Sequence, residues 1–277
     1  MLYLLNMKRI ITAITAIAAA ALLTACSSKP SQPKMLVLYY SQDGTTQTVA
    51  EEIAAQTGAD IERFDVDPPY TGTYDETIQR RRQDYTTPPK LCPLTSDLSK
   101  YDIIFLGYPI WFGSYATPVN VLMTEVSFQG KTIVPFCTFG SGGLRASVAQ
   151  LQETLPKTDV REGFGIRASR IDKVKPELER FLILGGYKEG EAEPYPDYSE
   201  QRPVTEEEAA IFEAACATYS LQYGAPLSVG TRETPAGKDY AFAVETPSPF
   251  GRVVKSKVYV NVAKEEGSAP ELMMVER

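Results

Sequence analysis

Six small and polar residues between an apolar run and a helix-like pattern have the types that bind an anion. They are Ser41, Gln42, Asp43, Gly44, Thr45 and Thr46. At such a turn the N–H groups of the helix start lack acceptors, and the helix dipole favours a negative ligand. Ser41, Thr45 and Thr46 add hydroxyl donors, and Gly44 permits a backbone conformation closed to other residues. Since residues 40–60 contain no Lys or Arg, we expect this first loop to hold a phosphate with neutral donors.

Two common phosphate motifs do not describe the first loop. A Walker A loop ends in Gly-Lys-Ser or Gly-Lys-Thr, and a dinucleotide fingerprint needs three spaced glycines. Taken alone, the loop is better explained as an ordinary capped turn. The anion-binding interpretation therefore depends on two further loops.

The second loop, residues 107–115, is unusually aromatic. It holds the chain's one tryptophan together with three other aromatic residues in the sequence GYPIWFGSY. A loop that faces solvent seldom gathers so much apolar area without a use. A flat aromatic ligand would cover this area by stacking. The alternative is a loop that only folds over the core or over a second domain.

The third loop, residues 138–144, is rich in glycine. Its sequence is TFGSGGL, and the three glycines allow main-chain N–H groups to approach the polar edge of a ring. The alternative is a flexible turn. Three such loops, each at the end of a predicted strand, favour one joint binding site over three coincidences.

The residue types that are missing restrict the chemistry. The chain contains no histidine, which excludes Ser–His and Cys–His nucleophiles and the commonest metal ligand. Cys92, Cys137 and Cys216 are widely spaced, offer no metal motif, and are expected to be small buried side chains. We therefore assign no catalytic side chain and no metal site, and expect a borrowed cofactor to supply the chemistry.

Strands that alternate with helices would position the three loops. Apolar runs predict strands at Met35–Tyr40, Ala59–Phe64, Asp102–Gly107 and Thr132–Cys137, and a weaker one at Val160–Ile166. Helical patterns cover Thr46–Gln56, Glu76–Arg82, Val119–Val126, Arg145–Leu155 and Pro176–Leu184. This alternation predicts a doubly wound, five-stranded parallel sheet with helices on both faces. Ligands bind such sheets beyond the carboxyl ends of the strands, where the three loops fall.

The sequence changes character near residue 190. Thr205 and Glu208 have the spacing of a capping box at the start of a helix that reaches about Tyr219. Alternating runs then predict strands at Leu227–Glu233, Tyr240–Thr246, Val253–Ala263 and Leu272–Glu276. We therefore predict an α/β domain over residues 35–190 and a small α+β domain over residues 191–277.

The three loops together resemble those of the flavodoxin-like family, in its branch of flavodoxin-domain proteins from bacterial envelopes. The resemblance extends from about Met35 to Tyr187. The family's phosphate loop has the form Ser-x-Thr-Gly-x-Thr, which Ser41, Gly44 and Thr46 match. GYPIWFG resembles the family's ring-binding loop, GxPIWWG, and FCTFGSGG resembles its third loop.

The resemblance implies FMN as the cofactor, with its phosphate in the first loop and its isoalloxazine ring between the other two. Residues implied beside the ring are Pro109, Ile110, Trp111, Phe112 and Gly113. Residues implied near the ring edge are Thr138, Phe139, Gly140, Ser141 and Gly142. Asp43 departs from the family pattern, because it replaces a threonine with a charge that repels phosphate. We expect its carboxylate to turn outward and bind N–H groups of its own turn, as Asx residues do.

The first 26 residues have the order of a secretory signal. Lys8-Arg9 precedes an apolar run, Ile10–Leu23, which is shorter than the roughly 20 residues of a membrane-spanning helix. Residues 23–26, LTAC, resemble the lipobox of bacterial lipoproteins, which implies a diacylglyceryl group on Cys26. We therefore predict a signal peptide over residues 1–25, a tether over residues 26–34, and a protein lipid-anchored at the cell envelope.

The expected function is FMN-based redox chemistry, as an electron carrier or an oxidoreductase, with an unidentified redox partner or small substrate. The net charge of −7 argues against a nucleic-acid partner. One alternative is an NAD(P)H:quinone-type reductase, with Tyr70, Tyr74 and Arg80–Arg82 lining a nucleotide site, although such an arginine run is usually a solvated helix face. The other is a flavodoxin scaffold reused as a non-enzymatic, lipid-anchored binding protein.

Overall fold

A computed structural model describes residues 32–277, except residues 85, 218, 220–222 and 248–252. Lys34–Arg277 form one compact unit. The predicted signal peptide and the predicted lipidation site, Cys26, lie outside the described residues. Within the part of the chain that is described, no helix combines the length and the apolar character needed to cross a membrane. The predicted boundary at residue 190 stays a prediction.

The N-terminal part alternates strands with helices. Its strands are β1 (Met35–Tyr39), β2 (Asp60–Arg63), β3 (Val66–Asp67), β4 (Lys90–Leu91), β5 (Ile103–Trp111), β6 (Ser114–Tyr115), β7 (Thr132–Phe139), β8 (Asp159–Val160) and β9 (Phe164–Arg167). Its α-helices are α1 (Thr45–Thr57), α2 (Tyr74–Asp84), α3 (Thr117–Glu125), α4 (Leu144–Thr154) and α5 (Val174–Leu184). Short 3₁₀ helices cover Leu98–Lys100 and Ala168–Lys173.

The main sheet has the strand order β2-β1-β5-β7, and β8 and β9 both pair with the far edge of β7. All of these pairs are parallel. Counted along the chain, this is the 2-1-3-4-5 order of a doubly wound sheet. The predicted five-stranded parallel sheet is therefore confirmed.

Continuous apolar runs form the central strands because both sheet faces are covered. Leu36 and Leu38 of β1 are fully buried in a cluster that includes residues of α3 and α4. Val37, the residue between them, is fully buried in a second cluster with residues of α1 and α5. Side chains alternate between the faces of a strand, so one unbroken run supplies both cores.

The fifth strand was predicted as one run over Val160–Ile166, and the structure differs from this prediction. It is divided into β8 and β9, with Arg161–Gly163 between them. Arg161 N–H donates to the Ile133 carbonyl of β7 at 2.9 Å, so Ile133 faces this edge. Pro135, two residues further on, faces the same edge but has no N–H to donate. The missing donor explains why pairing stops and resumes only at Phe164.

The C-terminal part is a helix packed on an antiparallel sheet, as predicted. Its elements are β10 (Arg202–Pro203), α6 (Glu206–Cys216), β11 (Pro226–Thr234), β12 (Gly237–Pro247), β13 (Val253–Ala263) and β14 (Glu271–Glu276). The sheet order is β10-β11-β12-β13-β14. The capping box of Thr205 and Glu208 is formed, and α6 ends at Cys216, three residues before the predicted end. Phe212 packs against Phe242, with ring centroids 5.2 Å apart.

Candidate functional site

The three predicted loops lie at one edge of the main sheet, because each follows the carboxyl end of a neighbouring parallel strand. β1 and β5 are in register at Tyr39 and Gly107, and β5 and β7 at Pro109 and Thr138. The Thr46 Oγ1 atom lies 2.8 Å from the Thr138 Oγ1 atom, and both residues are buried. This hydrogen bond joins the first loop directly to the third.

The first loop is shaped by hydrogen bonds between its own residues. Gly44 is the N-cap residue of α1 and has φ 89°, which favours glycine. Gly44 N–H donates to the buried Ser41 Oγ at 3.1 Å, and Thr45 N–H donates to Asp43 Oδ1 at 3.0 Å. Asp43 is exposed and forms the Asx turn that the sequence predicts. The Asp43 carboxylate therefore already accepts from one of the N–H groups at the start of α1.

The start of α1 has further main-chain donors. Thr48 N–H closes the first turn of the helix on the Gly44 carbonyl at 3.0 Å. Among the described residues, no acceptor is found for the N–H groups of Thr46 and Gln47. A Cβ atom built on Gly44 would have no neighbour within 4 Å, so a ligand has room to approach the turn. The donor set fits a phosphate held by neutral groups, as in other anion sites at helix starts.

Gln42 contacts the start of α2. Its Nε2 atom donates to Thr77 Oγ1 at 2.9 Å and to the Gly72 carbonyl at 3.4 Å. Gln42 therefore connects the first loop to α2, a structural contact that the sequence analysis did not predict. Its predicted contact with a phosphate stays a prediction.

The second loop is a β-hairpin rather than an irregular loop. β5 extends four residues past the predicted end at Gly107, and β6 turns back along it with Trp111 opposite Ser114. Phe112 and Gly113 form the two-residue connection with φ angles of 54° and 82°. Positive φ at both positions is the pattern of a type I′ turn, whose twist matches paired strands.

The aromatic side chains of the second loop have different surroundings. The Trp111 ring contacts Tyr70 at a centroid distance of 5.0 Å and Tyr40 at 5.9 Å, both at steep angles. Phe112 is 44% exposed, and the Arg81 guanidinium lies 4.6 Å from its ring centroid. Part of the predicted stacking surface is thus already covered by protein.

Tyr70 and Arg80 are engaged with the protein itself. The buried Tyr70 hydroxyl donates to the Asp84 carboxylate, and Arg80 Nε donates to the same carboxylate at 3.0 Å. Burial, together with the Asp84 contact, raises the pKa of Tyr70 above its usual value. These contacts count against both residues as part of an open nucleotide site.

The third loop is held by residues that the sequence analysis did not identify. The Gly140 carbonyl accepts from Arg167 Nε at 2.8 Å, and the Ser141 carbonyl accepts from Val275 N–H at 2.7 Å. A Cβ atom on Gly142 would lie 1.9 Å from the Val275 carbonyl oxygen. The glycines were predicted to admit a ligand, and Gly142 also admits the backbone of β14. Phe139 is a core residue, 4% exposed.

The cysteines agree in part with their prediction as small buried side chains. Cys137 is fully buried, and burial raises the pKa of its thiol well above the usual value. Cys92 and Cys216 are half-buried, and all three are free thiols.

A surface cavity of about 430 Å³ lies at the opposite edge of the main sheet. Residues 123–129 and 154–158, which precede β7 and β8, line it. None of the predicted site residues contributes to this cavity. It is therefore separate from the three loops.

The match to a known protein family lies in the N-terminal part of the chain. A family model described as Flavodoxin matches residues 34–180. Solved structures that are similar include a candidate flavoprotein from Bacteroides eggerthii, with 28% identity, a TM-score of 0.46, and coverage of 55% of this chain and 98% of that chain. A flavoprotein from Lactobacillus acidophilus in complex with FMN has 25% identity, a TM-score of 0.43, and coverage of 51% and 97%. Oxidised Flavodoxin 2 from Bacillus cereus has 18% identity, a TM-score of 0.37, and coverage of 54% and 95%.

Among curated proteins, none matches this chain. The family match confirms the family that the three loops predict, and with it FMN as the family's cofactor. The individual residues assigned to FMN stay predictions.

Proposed function

The chain belongs to the flavodoxin family, and we propose that it transfers electrons through bound FMN at the cell envelope, anchored by a lipid on Cys26. The observation that carries the redox proposal is the hydrogen bond between Thr46 and Thr138, which brings the first and third loops together. The site lies at the switch point of the 2-1-3-4-5 sheet, where such folds bind their ligands.

Each loop has a distinct task in this proposal. The N–H groups of Thr46 and Gln47 and the nearby hydroxyls bind the phosphate. The second loop covers the ring with Trp111 and Phe112, and the third loop offers main-chain N–H groups to the ring edge. When bound, FMN supplies one- or two-electron transfer, and the surrounding contacts set its potential.

The position of Asp43 is compatible with a phosphate in the first loop. Two like charges at contact distance in a partly dry site would repel by several kcal/mol. Asp43 is exposed, where water and salt screen its charge, and its Oδ1 atom is already bound to Thr45 N–H. The carboxylate therefore weakens phosphate binding without preventing it.

A flavin titration tests the proposal. The protein from Ser27 onward is purified, its visible absorbance is recorded, and FMN and riboflavin are titrated separately by fluorescence quenching. We expect a yellow protein, or uptake of added FMN, and tighter binding of FMN than of riboflavin, because riboflavin lacks the phosphate. A colourless protein that takes up neither flavin contradicts the proposal and supports the lipid-anchored binding protein.

One observation favours a second function, the NAD(P)H:quinone-type reductase. The Arg81 guanidinium lies 4.6 Å from the centroid of the Phe112 ring, so a positive charge that suits an anionic nucleotide lies beside the second loop. Stopped-flow mixing of the FMN-loaded protein with NADH and with NADPH separates the two functions. Bleaching of the flavin absorbance within a catalytic turnover supports the reductase, and its absence excludes it.

The proposed anchor is tested on the full chain. Cells that express the protein are labelled with a radioactive fatty acid, and the membrane and soluble fractions are compared. We expect label in the membrane fraction of the wild type and its loss in Cys26→Ser. Label that persists in the variant contradicts lipidation at Cys26.

A further inference from the structure

The edge strand of the C-terminal sheet lies against the third loop. β14 pairs with β13 on one side, and its other side is a strand edge with main-chain groups available for bonding. Val275 N–H, on this edge, donates to the Ser141 carbonyl at 2.7 Å. The third loop, which belongs to the predicted cofactor site, thus supplies a hydrogen-bond acceptor to this edge of β14.

Two further contacts bring the backbone of β14 close to the backbone of the third loop. The Val275 carbonyl oxygen lies 1.9 Å from the place where a Cβ atom of residue 142 would be, so a larger residue than Gly142 does not fit. Arg167 donates through Nε to the Gly140 carbonyl at 2.8 Å and through Nη1 to the Leu272 carbonyl at 3.0 Å. One guanidinium group therefore connects the third loop to β14.

These contacts determine which groups of the third loop remain for a ligand. The carbonyl groups of Gly140 and Ser141 already accept hydrogen bonds from Arg167 and Val275. Within the described ranges, no acceptor is found for the N–H groups of Ser141, Gly142 and Gly143. The loop therefore presents donors, which suit the carbonyl oxygens and ring nitrogens along the edge of a flavin.

We propose that β14 is part of the cofactor site, because it fixes the third loop with its N–H groups available to the flavin ring. Val275 is then a positioning residue that acts through the Ser141 carbonyl. This inference rests on the proposed FMN function. It gives the C-terminal sheet a role in flavin binding that residues 34–180, the part matched by the family, do not contain.

The variant Val275→Pro tests the role of the main-chain contact. Proline removes the N–H group that meets Ser141, and it is tolerated at a strand edge because the ladder to β13 does not use this group. We expect FMN affinity to fall about fivefold to tenfold, the loss typical of one net hydrogen bond. Riboflavin affinity should fall by the same factor, since the contact acts on the ring and not on the phosphate, and the flavin midpoint potential should shift.

Val258→Ala is the matched control, because Val258 faces Val275 in the same sheet and shares its core. It removes core methyl groups but leaves the contact between Val275 and Ser141. We expect a lower melting temperature with unchanged FMN affinity. If Val275→Pro binds both flavins as tightly as Val258→Ala, β14 has only a structural role and the inference is overturned, while the proposed function stands.

A second variant keeps the test decisive if Val275→Pro does not fold. Arg167→Lys keeps the positive charge, but a single ammonium group cannot replace separate Nε and Nη1 contacts to two carbonyl groups. We expect parallel losses of FMN and riboflavin affinity. Wild-type affinity in this variant overturns the inference. If the wild type binds no flavin, both the inference and the proposed function fail.

Discussion

The first and third loops face the same site, but their backbones are held in different ways. In the first loop, Ser41 binds Gly44 and Asp43 binds Thr45, so each contact spans three residues or fewer. In the third loop, Arg167 and Val275 bind the carbonyl groups from β9 and β14. A loop shaped from within depends on its own sequence, whereas a loop held from outside depends on how distant elements pack.

This difference assigns separate tasks to the two parts of the chain. The main-chain turn of the first loop is formed by contacts within the loop, although the side chains of Gln42 and Thr46 reach α2 and the third loop. The third loop is held by Arg167 from within the matched family region, residues 34–180, and by Val275 from a strand that follows it. Loss of the contact between β14 and the third loop should therefore alter the ring end of the site before the phosphate end.

The largest expected effect comes from separating β14 from the third loop. In Gly142→Ala, the added Cβ atom would overlap the Val275 carbonyl, and two backbones cannot yield as a side chain does. We expect a loss of about 3 kcal/mol in the free energy of unfolding of the apoprotein, at the upper end of ordinary overpacking. Gly140→Ala is the matched variant, because its Cβ atom would have no neighbour within 4 Å. Equal urea midpoints for the two variants would show that the approach of β14 is not tight.

The next effect concerns the single bond that joins the two loops. Thr46→Val or Thr138→Val leaves the other buried hydroxyl without its partner, which costs about 1–2 kcal/mol in the free energy of unfolding. The double variant removes both hydroxyls, so its loss should be smaller than the sum of the single losses. Urea unfolding of the wild type, the two single variants and the double variant measures the coupling free energy between the two hydroxyls. Additive losses would contradict a direct bond.

The sequence predicts the main-chain turn of the first loop well because the contacts that form this turn are local. Gly44 and Asp43 reveal a left-handed turn and an Asx contact through their own residue types. The strand assignments succeed for a similar reason, since a run such as Met35–Tyr39 shows two-sided burial directly. Pro135 is also evident in the sequence. Its effect on the fifth strand depends on which neighbouring strand its main-chain groups face, and the sequence does not show this.

The third loop was predicted only in part, because its partners have no local signature. Arg167 and Val275 resemble any arginine and any core valine in the sequence. Gly142 signals a close approach, but the approaching group is revealed only when β14 is placed in space. The same holds for Tyr70, whose contact with Trp111 joins two segments that no motif connects.

A smaller effect is expected from the charge in the first loop. Asp43→Thr restores the family residue, and Asp43→Asn keeps the side-chain oxygen that accepts from Thr45 N–H while removing the charge. Because the carboxylate is exposed and screened, we expect both variants to tighten FMN binding by about threefold, with less gain at high salt. Riboflavin binding should not change. Unchanged or weaker FMN binding in both variants would mean that repulsion does not limit affinity.

The smallest effect should appear as a pH dependence confined to the C-terminal part. Arg202, together with Thr205, lowers the pKa of Glu208 to about 2, through hydrogen bonds of 2.6 and 2.8 Å from the guanidinium. Because the folded pKa lies below the unfolded value of roughly 4.3, the carboxylate stabilises the fold above about pH 4. That contribution is lost as the pH falls towards 2.

We therefore expect the urea midpoint of the wild type to fall more between pH 5 and pH 3 than that of Glu208→Gln. Glu207→Gln, which removes an exposed carboxylate from the same helical turn, should behave as the wild type. None of these variants changes the contact between Val275 and Ser141, so riboflavin binding should have the same pH dependence in all three folded proteins. If acid instead weakens riboflavin binding more in the wild type than in Glu208→Gln, a loss of stability in the C-terminal sheet reaches the third loop without breaking that contact, and Val258→Ala should then lose flavin affinity as well.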